Sequence, residues 1–108
     1  MATPGIVLTT TDSEAAAQTL GRALVEERLA AGVAISAIAS IYRWREEVCE
    51  TAEWLLILNT DLDRLGEIEA FVRSRHTYEV PELMAFPASG GFDAYLQWIV
   101  ANTRPSSP

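Results

Sequence analysis

The only histidine of the chain, His76, is followed three and six residues later by Glu79 and Glu82. An imidazole nitrogen beside carboxylate oxygens suits Zn2+, Cu2+ or Ni2+, and a second copy of the chain could complete the shell that three ligands leave open. Convergence is not fixed by this spacing, because two glutamates near a strand start can point to opposite faces. The alternative is a histidine favourable to a helix end, with the glutamates as structural acceptors. A second group, Tyr42, Arg43 and Trp44, sets a guanidinium between two aromatic rings. Arginine there could read an anionic ligand and tryptophan could stack on it, although the same residue types also build interface cores. Cys49 is the only cysteine. Arg43 and Arg45 are the nearby cations that would favour its thiolate, against the alternative of an inert thiol. Ser36 and Ser40 lack a neighbouring base, and any triad would have to use His76. No Gly-x-Ser-x-Gly, phosphate loop or paired-cysteine zinc motif occurs. The expectation is a protein that is not an enzyme.

Those groups need elements to hold them. Residues 5–10 are short, branched and apolar, as in a central strand covered on both faces. Thr11 and Glu14 have capping-box spacing, and Ala16, Leu20, Ala23 and Leu24 form the stripe of a helix that Gly32 is expected to close with a left-handed cap. Residues 33–45 read as one long strand, Glu46 and Glu47 as a turn, and residues 48–59 as the returning strand. A second helix opens at Thr60 to Asp63 with the stripe Leu65, Ile68, Phe71 and Val72; Gly66 inside it suggests close packing. Pro81 suits the start of a strand over 82–86. Phe92, Tyr95, Leu96 and Ile99 repeat at helical spacing, and 104–108 read as a frayed tail.

The order β-α-β-β-α-β with one more helix is an α+β, ferredoxin-like plan: four antiparallel strands and both crossover helices on one face. At 108 residues the chain reads as a single domain, ordered over about 5–104. A strand of about thirteen residues spans ~43 Å, whereas a domain of this length has a radius of gyration of ~13 Å. The hairpin must therefore project beyond its own domain. Ile41, Tyr42, Trp44, Val48 and Trp54 would lie partly uncovered on it, which points to other subunits as the cover.

Fifteen acidic residues against eight arginines and no lysine give a net charge of −7. That surface disfavours nucleic acid and anionic lipid and raises the local concentration of cations. One cysteine excludes an intrachain disulfide, residues 1–5 lack the features of a signal peptide, and no apolar run reaches membrane-spanning length. Cytoplasmic location is the expectation.

Four segments, residues 23–31 (ALVEERLAA), 40–44 (SIYRW), 78–82 (YEVPE) and 94–98 (AYLQW), together resemble the CutA family, small trimeric proteins named for divalent-cation tolerance. The resemblance covers about residues 5–104. It implies a ferredoxin-like homotrimer in which long strands pair across subunits. It also implies a role in divalent metal response, with a cation such as copper or zinc in an intersubunit cleft and not required for folding. On that view His76, Glu79 and Glu82 are the metal candidates. A PII-like sensor, taking an anionic metabolite in the same cleft through Tyr42, Arg43 and Trp44, is the alternative, as is a purely structural trimer. The chain departs from the family where Gly32-Val33-Ala34 replaces the usual cysteine, valine and asparagine, which removes the thiolate most often discussed as a copper ligand. Thr77, Asn59 and Glu46 also depart, replacing a proline, a lysine and a glycine, and Cys49 is not at the family's cysteine position.

Overall fold

Alternation along the strands decides which side of the sheet becomes the core. In β1 (Pro4–Thr11) Val7 and Thr9 are fully buried while Ile6 and Leu8 are half-buried. Leu58 and Leu56 of β3 (Glu47–Asp61) stand opposite those two buried residues and are equally enclosed. Side chains directly opposite in an antiparallel pair share a face, so these four mark the covered side. Two helices close it: α1 (Glu14–Glu26) through Ala17, Leu20 and Leu24, and α2 (Leu65–Arg75) through Ile68 and Val72. Gly21 lets α1 approach β2 (Gly32–Trp44), since a Cβ there would come within 3.3 Å of Val33 Cγ1. The computed structural model describes residues 2–105; Met1 and positions 106–108 of the expected frayed tail lie outside them.

The sheet order is β2-β3-β1-β4, with β4 (Leu83–Pro87) antiparallel to β1. All three pairings are antiparallel, which is the α+β arrangement expected, with α3 (Asp93–Ala101) as the added helix. Trp98 of α3 reaches the start of β2, near Gly32 and Asn59, on the side of the sheet away from α1 and α2. Arg64, in the short 3-10 turn before α2, donates to the carbonyls of Arg28 and Thr103 and so ties the end of α1 to the end of α3. Among the described residues no helix is long and apolar enough to cross a membrane.

The long hairpin is present: β2 and β3 pair from Gly32–Asn59 to Trp44–Glu47. It stretches the chain to 45 Å along its longest axis and its radius of gyration to 14.5 Å, above the ~13 Å typical of this length. Several local expectations need correction. The left-handed residue after α1 is Arg28, at φ 58°, and Gly32 is instead the first residue of β2. The N–H of Leu29 donates to Leu24 and that of Arg28 to Val25. This paired closure, with Leu29 and Leu24 both buried, is the Schellman arrangement, with Arg28 in the left-handed position that glycine usually fills. Ser13, not Thr11, caps α1 by accepting the N–H of Ala16. The hairpin turn is Arg45-Glu46, both at positive φ, 50° and 71°. That geometry matches the right-handed strand twist but favours Asn-Gly, so two ordinary side chains are held in a strained form. Gly66 packs against nothing, since an added Cβ would meet no atom within 4 Å. Trp54 packs against the core cluster rather than lying on the projecting part of the hairpin.

Candidate functional site

A large concavity, of about 670 Å3, lies between the even-numbered face of the hairpin and the segment joining α2 to β4. Period-two geometry puts Ser40, Tyr42 and Trp44 on one face of β2 and turns Arg43 to the other. The cleft is accordingly lined by the first three, together with Thr51 and Glu53 of β3 and Thr10 at the end of β1. Asp12, Tyr78, Glu79 and Glu82 complete its lining.

His76 holds the 76–82 segment in place. Its Nε2 meets the carbonyl oxygen of Thr10, which can only accept, so Nε2 carries the proton. Its Nδ1 then accepts the N–H of Tyr78 at 3.2 Å. Both ring nitrogens are thereby used by backbone, and the ring also lies 4.7 Å from that of Tyr78. Thr9 Oγ1 donates to the carbonyl of Glu82 at 2.7 Å and fixes the far end of the segment.

This anchoring places Tyr78 against a buried carboxylate. Tyr78 Oη donates to Glu53 Oε2 at 2.7 Å, and Glu53 is only 8% exposed. Burial of the phenol, then the hydrogen bond and negative charge of Glu53, push the Tyr78 pKa well above the usual tyrosine range. Tyr78 therefore stays a donor. Glu79, by contrast, is exposed and pairs with Arg45 at 3.0 Å.

The residues singled out from sequence thus have different fates. His76, Glu79 and Glu82 share one segment, but the two glutamates line the cleft while the imidazole is spent on backbone. Among the described residues no three of His, Cys, Asp and Glu are grouped to hold a metal ion. Tyr42 and Trp44 line the cleft. Arg43 does not; its Nη1 donates to the carbonyl of Glu46 at the exposed turn. An anion-reading arginine in this cleft is therefore absent among the described residues. Cys49 stands opposite Tyr42 in the hairpin without lining the cleft. Ser36 and Ser40 have no base within reach, since the only imidazole is committed elsewhere. Asp12, Glu53 and Tyr78 were not singled out from sequence. Glu53 carried a readable signal: a carboxylate within an apolar strand needs a buried donor.

The charge lining this cleft is of one sign. Asp12, Glu53, Glu79 and Glu82 line it, and no basic residue among the described ones does. A concave, low-dielectric wall concentrates the field of such a set and favours cations. A family model described as CutA1 divalent ion tolerance protein matches residues 5–102. The chain belongs to this family. It is 44% identical over 99 residues to the divalent-cation tolerance protein CutA of Thermus thermophilus, spanning 91% of this chain and 96% of that protein. A solved structure of the Thermus thermophilus protein matches with a TM-score of 0.90 at 43% identity, over 94% of this chain and 99% of that one. CutA1 from Oryza sativa matches with a TM-score of 0.91 at 36% identity, over 96% of each chain. The chain spans about half the length of mammalian CutA proteins, 51% in the human case.

Proposed function

We propose that this CutA-family protein acts without catalysis in the response to divalent metal ions, binding a cation such as copper or zinc in the acidic cleft of a homotrimer. The observation that carries the cation reading is the lining itself, four carboxylates and no basic side chain among the described residues. The donors it offers are oxygens, which fit a hard or borderline divalent ion better than a thiolate-seeking one. Among its described residues one chain supplies no convergent set of three, so a neighbouring copy is needed to finish the shell. The hairpin supports that neighbour. Ile41 and Val48 are 69% and 68% exposed on one of its faces, and Tyr42 and Trp44 are partly exposed on the other. Apolar ribbons of this kind are covered in stable soluble proteins. In this reading Glu79 and Glu82 are the metal candidates, and His76 is a positioning residue that sets the segment carrying them.

The test is thermal unfolding with and without Zn2+ or Cu2+, on the wild type and a Glu79→Gln/Glu82→Gln double variant. Binding to the folded state alone raises the melting temperature increasingly with ligand excess. The expected result is a metal-dependent rise in the wild type that the double variant loses. An equal response in both, or none in either, contradicts the site.

A further inference from the structure

We draw no further inference here: the strongest candidate, the open apolar side of the sheet where Met84 and Phe86 of β4 and Trp98 of α3 stay exposed, carries nothing, because nothing in the structure shows what covers it beyond the copies of this chain already invoked in the proposed homotrimer.

Discussion

The two faces of the sheet are built by the same strands and end in opposite states. On the helix side Val7, Leu56 and Leu58 are completely enclosed by α1 and α2. On the other side Met84 and Phe86 remain 58% and 41% exposed, and the hairpin carries Tyr42 and Trp44 out beyond any helix. Both faces are apolar, so composition does not distinguish them. What differs is who completes them. The covered face is finished by the chain itself, and its substitutions should act on the stability of the single chain. In the proposed homotrimer other copies complete the open face, and its substitutions should act on association and on what enters the cleft.

The sharpest way to break this contrast is a pair of truncations, one on each face. Leu58→Ala should cost about 2–5 kcal/mol of folding stability by opening a cavity under α1 and α2, read by denaturant unfolding. Trp44→Ala should leave the far-ultraviolet spectrum of the chain intact and weaken self-association by about 2 kcal/mol, the loss typical of a buried aromatic at an interface. Light scattering across a dilution series measures it. An assembly that Trp44→Ala leaves unchanged would sink the assignment of the hairpin to an interface.

Tyr78→Phe probes the wall of the cleft. It leaves the buried Glu53 carboxylate without its donor, at a cost of about 1–2 kcal/mol near neutral pH. The sign of its pH dependence follows from the raised Tyr78 pKa, caused first by burial and then by Glu53. A group whose folded pKa lies above its unfolded value stabilises fully below the unfolded value, about 10 for tyrosine. That contribution then falls as pH rises further. Wild type and Tyr78→Phe should therefore converge above about pH 10, which urea midpoints across pH will show.

The smallest effects are gains away from both faces. Glu46→Gly relieves a residue at φ 71° and should add about 1 kcal/mol. Gly66→Ala fills open solvent within α2 and should add a similar ~1 kcal/mol. Melting temperatures of the two single variants check both.

Element order, the antiparallel sheet and the projecting hairpin were legible because each rests on periodicity over many residues. The strand bounds moved by a residue or two, as from 33–45 to Gly32–Trp44. Caps and turns were less legible, because they depend on single backbone angles. Nothing about Arg28, Arg45 or Glu46 as residue types marks a left-handed conformation, and a glycine four residues past Arg28 was the more plausible cap. The candidate site was half legible. Glu79, Glu82, Tyr42 and Trp44 do line one cleft. His76 looked like a ligand because its type suits one, and only the structure shows its ring nitrogens meeting Thr10 and Tyr78. Arg43 was grouped with Tyr42 and Trp44 by adjacency, although strand alternation already turned it away. Asp12, just past β1, and Glu53, within β3, reach the site from positions distant in sequence, a convergence no local spacing displays.

Native mass spectrometry of the purified protein titrated with Cu2+ and Zn2+, beside the Glu79→Gln/Glu82→Gln variant, tests the open face and its cleft together. The expected result is a trimer that takes up three cations, one per cleft, and a variant trimer that takes up none. A wild-type protein that stays monomeric would contradict the completion of the open face by copies. A trimer that remains bare in the presence of excess metal would contradict the cleft as a divalent-cation site.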